Sequence, residues 1–255
     1  MSEIQLVLTD IDDTIAPHAR HEVSDVVRQT ITAVEEKGVK IVPVSGRPYE
    51  LAEQTLNVLG ISDLCIVDGG ATIVDIQSGE RLWKCWLSAT QVRSILEIVL
   101  PCASELLYEE GLHFVDADTL SLASVLQDSP SIFALIHEED ELTLKQALES
   151  IPGIYSYFLN GVNPFSGAKS RAVQITDSNG TKYHGVEALR EILRIPTEQT
   201  LAIGDGTNDL PLFKNASVKV AMGNGTDELK AAADYVVGTL EEDGFAEAMK
   251  KYVLQ

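Results

Sequence analysis

Four short polar clusters in this 255-residue chain carry side chains able to do chemistry. Thr9-Asp10-Ile11-Asp12-Asp13-Thr14 follows an apolar run at residues 4–8, and Ser45-Gly46-Arg47-Pro48 follows a run at 39–44. Gly204-Asp205-Gly206-Thr207-Asn208-Asp209 follows a run at 200–203, while Thr181-Lys182 stands just ahead of a segment of helical period. Together they offer five carboxylates, one serine, one lysine and one arginine. Gathered carboxylates repel and raise one another's pKa unless a cation neutralises them. Hard oxygen donors, with no histidine or cysteine in the motifs, suit Mg2+ better than zinc. An aspartate can also attack phosphorus, in which case the lysine and the serine hydroxyl would hold the phosphoryl oxygens. The chemistry expected is phosphoryl transfer.

Taken singly, each cluster has an ordinary structural reading. A D-x-D pair or a Gly-Asp-Gly-Thr-Asn-Asp stretch can be a solvated turn. Ser45-Gly46-Arg47-Pro48 could start a helix with Ser45 near its cap, and Lys182 could be a solvated lysine. It is their order, each at the end of its own element, that points to a site.

The elements that must position these residues are readable from period and punctuation. The run at 4–8, then Val23, Val26, Val27, Ile31 and Val34 at helical spacing, then the run at 39–44 make a β-α-β unit. Ser24 and Asp25 mark the start of the helix and Gly38 its end. Continuous rather than alternating apolar strands imply a parallel sheet covered on both faces. Pro43 cannot donate to a ladder and belongs near the carboxyl end of its strand. The C-terminal part continues the pattern with a helix through Val186, Leu189, Ile192 and Leu193 and a short helix at 210–213. A strand at 218–221, a helix opening at Thr226 and a strand at 235–237 follow, with a final helix after them. In such sheets ligands bind beyond the carboxyl ends of the strands, where the polar clusters lie. The middle reads differently: a hairpin at 77–79, helices at 91–99 and 141–150, and strands at 106–108, 132–136, 155–159 and 172–176. The expectation is a doubly wound, Rossmann-like α/β core from residues 1–87 and 178–255, interrupted by an α+β insert at 88–177.

Composition narrows the class of partner. With 45% hydrophobic and 23% charged residues the chain is ordinary for a globular protein. Acidic side chains outnumber basic ones 39 to 19, a net charge of -20 that repels polyanions, so nucleic acid is not expected. A phosphate-bearing substrate meets the same field, and its site must supply local positive charge from a metal, a lysine or N–H groups. No apolar run approaches the roughly 20 residues of a bilayer span, and no leader pattern opens the sequence. Cys65, Cys85 and Cys102 form no C-x-x-C pair and no even set. They read as small buried hydrophobes in a reducing compartment, and the expected location is the cytoplasm.

With these residues in hand, the sequence resembles the haloacid dehalogenase superfamily, and within it the Cof-type phosphatases with a large cap between the second and third motifs. The resemblance rests on residues 8–14, 44–48, Lys182 with the helix after it, and 204–209. Ala221-Met222-Gly223-Asn224-Gly225 through Ala233-Asp234-Tyr235-Val236 is also similar to a C-terminal signature of that family. The resemblance implies in-line attack by Asp10, with Asp12 as acid and then base, and Ser45 and Lys182 on the phosphoryl group. It implies Mg2+ held by Asp10, the main-chain carbonyl of Asp12 and Asp205, supported by Asp209 and Asn208. Gly46 and Arg47 would line the phosphate site, with Arg47 facing either substrate or a core carboxylate. The chain departs from the family at Asp13 and Tyr183, where glycine is frequent, and at Gly69, where an asparagine often precedes Gly-Ala.

The expected substrate is a small phosphorylated metabolite such as a sugar phosphate, phosphoglycolate or a phosphorylated cofactor. A phosphosugar mutase would use the same core motifs, but its second phosphate calls for a basic cluster. The insert offers only the scattered Arg93, Lys145, Lys169 and Arg171. A phosphorylation-controlled binding module shares the acidic pair, hydroxyl and lysine, yet leaves the insert and second half without a role. Tyr108, His113, Phe114, Phe133, Tyr157 and Phe165 could select the leaving group or simply form core, and oligomeric state is not legible.

Overall fold

The computed structural model describes residues 3–18, 22–109, 112–115, 127–162 and 169–255, with the side chains of 107–109, 112–115, 162 and 169 outside the description. The chain divides into two compact units, residues 1–83 with 182–255, and residues 84–181.

In the first unit, β1 (Leu6–Thr9), α1 (Asp25–Glu36), β2 (Lys40–Pro43), α2 (Tyr49–Leu59), β3 (Leu64–Val67), β4 (Thr72–Asp75) and β5 (Arg81–Lys84) precede the insert. The insert supplies α3 (Ala89–Val99), β6 (Ala103–Glu109), β7 (Leu112–Val115), β8 (Ile132–Ile136), α4 (Glu141–Leu148), β9 (Ile154–Val162) and β10 (Lys169–Asp177). The first unit then resumes with α5 (Lys182–Leu193), β11 (Thr200–Gly204), α6 (Leu210–Phe213), β12 (Val218–Ala221), α7 (Asp227–Ala232), β13 (Tyr235–Val236) and α8 (Gly244–Tyr252).

The main sheet runs β13-β12-β11-β1-β2 with every pair parallel. Its strands alternate between two apolar clusters. Val7, Ile41, Leu201, Ile203 and Val220 pack with Val27, Ile31 and Val34 of α1 and with Phe245 and Met249 of α8. Leu6, Leu8, Val42, Ala202 and Ala221 pack on the other face with Val186 and Leu189 of α5, Leu212 of α6 and Leu229 of α7. Both faces are thus covered, which is why these strands are apolar throughout. The Ser24 hydroxyl caps α1 by accepting the Val27 N–H at 3.2 Å, and Gly38, at φ +79°, lies just past its end. Pro43 is the last residue of β2, opposite Thr9, where the ladder ends. β3, β4 and β5 form a separate three-stranded sheet, reached from the end of β2 through a Val44–Ile66 bridge.

In the inserted unit an antiparallel sheet, β7-β6-β8-β10-β9, packs its Ile132, Ala134, Ile136, Val173 and Ile175 side against Val92, Ile95 and Leu96 of α3 and Leu144 and Leu148 of α4. Arg171 on β10 forms a fork to the Glu141 carboxylate at 2.7 and 2.8 Å and reaches Asn160 Oδ1 at 2.7 Å, which clamps α4 to the sheet. Hydrogen bonding from Arg171 holds Glu141 below the usual carboxylate range. Phe133 and Tyr157 are half-buried, while the side chains of Tyr108, His113 and Phe114, together with Phe165, lie outside the described residues. Among the cysteines only Cys65 is fully buried. Cys85 and Cys102 are half-buried, so the reading of all three as core hydrophobes holds for one.

Candidate active site

Parallel register brings the acidic motifs together. β1 and β11 are neighbours with Thr9 opposite Ile203, so Asp10 and Asp205 leave the same edge of the sheet one strand apart. One carboxylate oxygen from each of Asp10, Asp205 and Asp209 lies within 4.8 Å of the others. Asp10 is 5% exposed and Asp209 fully buried. The Asp10 Oδ1 accepts the Ile11 N–H at 2.8 Å, and Thr14 Oγ1 donates to Asp205 Oδ1 at 3.2 Å.

Lys182 is the first residue of α5 and is 5% exposed, not solvated. Its ammonium sits 2.7 Å from Asp209 Oδ1 and 3.1 Å from Asp10 Oδ1. Asp209 Oδ2 accepts the N–H groups of Asp205 and Gly206 at 3.0 Å each, so both its oxygens are engaged. The helix carrying Lys182 sits close over the turn after β3: a Cβ on Gly185 would fall 2.5 Å from the Gly70 carbonyl. A larger residue there would lift α5 and withdraw the lysine.

Three carboxylates, Asp10 and Asp209 buried and Asp205 half-buried, face one ammonium, and the imbalance shifts Asp10 and Asp205. Burial, then the charge of Asp209, push Asp10 well above the ordinary carboxylate value against the pull of Lys182. Burial, then Asp209 and Asp13, push Asp205 up to about 7. Burial alone would lower the Lys182 ammonium, but Asp10 and Asp209 outweigh it and hold it above the usual lysine range.

The first acidic loop is a closed turn. Asp12 is held by Arg47, whose Nη2 and Nε donate to its Oδ1 and Oδ2 at 2.6 and 2.9 Å. Arg47 Nη1 is anchored on Thr55 of α2 at 2.8 Å. Of the two orientations open to Arg47, the structure holds the one on a carboxylate, and that carboxylate is Asp12. Asp13 has φ +56°, the left-handed region that favours glycine. Holding a non-glycine residue there costs about 1 kcal/mol. His18 donates its N–H to Asp13 Oδ1 at 3.0 Å, and its ring lies 3.7 Å from Asp12 Oδ1.

Ser45 is fully buried beyond the end of β2 and is not near a helix cap, since α2 starts after Pro48. Its hydroxyl accepts the Arg47 N–H at 3.1 Å, and its own N–H bonds Ile66. Gly46 and Asn208 are half-buried, Asn208 on the turn leading from β11 to α6. Sequence reasoning gave no role to Thr55 or His18, which lie outside the motifs, nor to Thr14, inside one. Only the fold places them against Arg47, Asp12 and Asp205.

Fold and site together define an α/β protein with a largely buried acidic centre and one lysine at the carboxyl ends of its parallel strands. A profile of haloacid dehalogenase-like hydrolases matches residues 7–249, and the chain belongs to that family. It is a phosphatase-class enzyme. It is 26% identical to a phosphoglycolate phosphatase of Methanobrevibacter smithii, over 98% of this chain and 99% of the relative. It is 24% identical to the 5-amino-6-(5-phospho-D-ribitylamino)uracil phosphatase YcsE of Bacillus subtilis, over 99% and 97%. Among solved structures, a haloacid dehalogenase-like hydrolase from Bacteroides thetaiotaomicron shares the fold with TM-score 0.80 at 23% identity, covering 98% of this chain and 99% of the other. A sugar phosphatase of HAD subclass IIB matches with TM-score 0.77 at 26% identity, over 97% and 98%.

Proposed function

We propose that the chain hydrolyses a small phosphate monoester by passing its phosphoryl group through Asp10 to water. The observation that carries this is the set Asp10, Asp205 and Asp209 around the buried Lys182 ammonium at the carboxyl ends of β1 and β11. An Asp10 oxygen attacks phosphorus in line as the ester P–O bond breaks, and Asp12, protonated and turned out of the Arg47 fork, gives its proton to the leaving oxygen. Asp12 then takes a proton from the water that attacks the aspartyl-phosphate, and inorganic phosphate leaves. Arg47 holds Asp12 in the resting site, and the Asp12 side chain keeps 22% exposure. Lys182 and the Ser45 hydroxyl hold the phosphoryl oxygens, with Gly46 and Arg47 beside them. Asn208 supports Lys182 and the metal side of the site.

The donors fit Mg2+: all are hard oxygens, and the carboxylates carry more charge than Lys182 balances. Asp10, Asp205 and the Asp12 main-chain carbonyl would hold it, and Asp209, engaged through both oxygens, would orient the others. Bound there, Mg2+ would neutralise charge developing on the transferring phosphoryl oxygens. The names of the relatives support a phosphorylated metabolite as substrate. The Arg171 guanidinium is occupied by Glu141, which speaks against its serving as a second phosphate site for a mutase. We place the enzyme in the cytoplasm, a reading supported by three free cysteines. No helix of the described residues is long and apolar enough to cross a membrane.

The test is phosphate release from a panel of phosphorylated sugars, acids and cofactors, with Mg2+ and with chelator. Release that requires the metal and ranks the compounds is expected. A folded protein that releases phosphate from none would overturn the reading.

Asp205 makes metal binding depend on pH. Its folded pKa of about 7 lies above the ordinary value, so the folded state binds more protons than the unfolded one between roughly pH 4 and 7. Without metal its contribution to stability is therefore full below that window and lost as pH rises through 7. Mg2+ needs the ionised form, so at pH 5.5 its affinity should be roughly 30-fold weaker than at pH 8. In thermal melts the Mg2+-induced rise in Tm should be ~4–8 °C larger at pH 8. An equal rise at both pH values would remove Asp205 from the metal site.

A further inference from the structure

The segment at residues 222–226, part of the C-terminal signature, has no place in the chemistry above, yet it touches both acidic loops. The Asn224 amide donates from Nδ2 to the Asp13 carbonyl at 2.8 Å, and its Oδ1 accepts the Leu240 N–H at 3.0 Å. Two residues on, the Thr226 N–H donates to the Asp205 carbonyl at 2.8 Å. Between them, Gly225 lies so close that a Cβ would fall 2.9 Å from the Asp205 carbonyl oxygen and 3.2 Å from its Cα. One loop thus grips the main chain beside Asp12 and the main chain of Asp205. We propose that this segment is a brace that sets the two acidic loops relative to each other, and that Asn224 is a positioning residue for the Asp12 main-chain carbonyl.

The Asp13 N–H donates to the Ala16 carbonyl at 2.7 Å, and in a planar trans peptide the Asp12 carbonyl points the opposite way. The next peptide is fixed through its own carbonyl by Asn224. With the planes on both sides of Asp13 pinned, its left-handed conformation is pinned too, and with it the direction of the Asp12 carbonyl. Glycine would visit many conformations here, and aspartate disfavours this one, so the loop needs an external hold. Asn224, 211 residues away in sequence, supplies it.

The role of Asn224 toward Mg2+ rests on the proposed function, and the experiment separates the two. Asn224→Asp keeps the acceptor for Leu240 and loses the donor to Asp13. Its added carboxylate would by itself strengthen cation binding, so a loss would not be an effect of charge. Millisecond hydrogen exchange without metal should show the Asp13 amide exchanging at least tenfold faster, and calorimetry should show Mg2+ affinity at least tenfold weaker. Turnover should fall, while KM for the best substrate stays within about twofold. Asn224→Ser, too short for either partner, gives the same test without a new charge should the first variant not fold. Unchanged exchange at Asp13 would overturn the brace, and faster exchange with unchanged Mg2+ affinity would overturn the positioning of Asp12. If the unaltered chain bound no Mg2+, the proposed metal site would fail, and exchange at Asp13 would still decide the brace.

Discussion

Turnover by the Asp10→Asn variant is expected to fall by at least about 10⁴-fold, with the fold intact and the chain no less stable than its parent. At roughly 1.4 kcal/mol per factor of ten, that is about 5.5 kcal/mol of transition-state stabilisation, the scale of a lost nucleophile. The amide has the shape of the carboxylate and can still accept the Ile11 N–H, so the loop after β1 has no reason to rearrange. Stability carries a sign that a merely structural aspartate would not give. Because burial and Asp209 raise Asp10, the ionised form strains the folded state, and this strain grows as pH rises. In metal-free buffer at pH 8 the variant should therefore melt at or above the parent, and the difference should vanish at acid pH, where Asp10 is protonated. Fluoroberyllate soaked into the unaltered protein should be found on Asp10. A variant retaining most of its rate, or fluoroberyllate on another residue, would move the nucleophile elsewhere.

Local sequence carried much of this, and the reasons for its limits are physical. A parallel sheet announces itself because each strand must be apolar on both faces, as Leu6, Val7 and Leu8 are. α1 announces itself because Ser24 and Gly38 do chemical work at its ends. The helix α2 is marked less fully: Gly60, at φ +79°, ends it, but two of its four buried positions are Ala52 and Thr55 and its N-cap is Pro48, which caps nothing with a side chain. Asp10, Asp205 and Lys182 were legible as a constellation because topology places the ends of adjacent parallel strands together. What sequence could not give is which partner each side chain chooses. Arg47 and Asp12 are 35 residues apart and Asn224 and Asp13 are 211 apart. Their pairing depends on how loops from different strands close, which no local pattern records. Nor does the acidic composition reveal that one lysine is buried among three carboxylates, because a lysine at a helix start is ordinarily solvated.

That lysine gives the second large effect. Lys182→Met keeps the length of the side chain and removes the only ammonium within reach of Asp10 and Asp209 among the described contacts. Asp209, with no exposure, is left facing a neutral group. Breaking a buried pair in this way typically costs about 3–5 kcal/mol. For a chain of this size the metal-free melting temperature should drop by roughly 6–12 °C or more. Activity should fall about 10³-fold. A fixed positive donor to the phosphoryl oxygens is lost, and Asp10, without its counter-charge, is pushed further toward its protonated, non-nucleophilic form. The double variant Lys182→Met/Asp209→Asn separates these contributions. Removing the orphaned charge should recover most of the lost stability, because a buried pair exchanged whole for neutral groups is often close to neutral in free energy. Activity should not return, because no cation faces the phosphoryl group. Recovery of both together would make Lys182 a charge-balancing residue alone. A single variant as stable and within tenfold as active as the parent would remove it from the site.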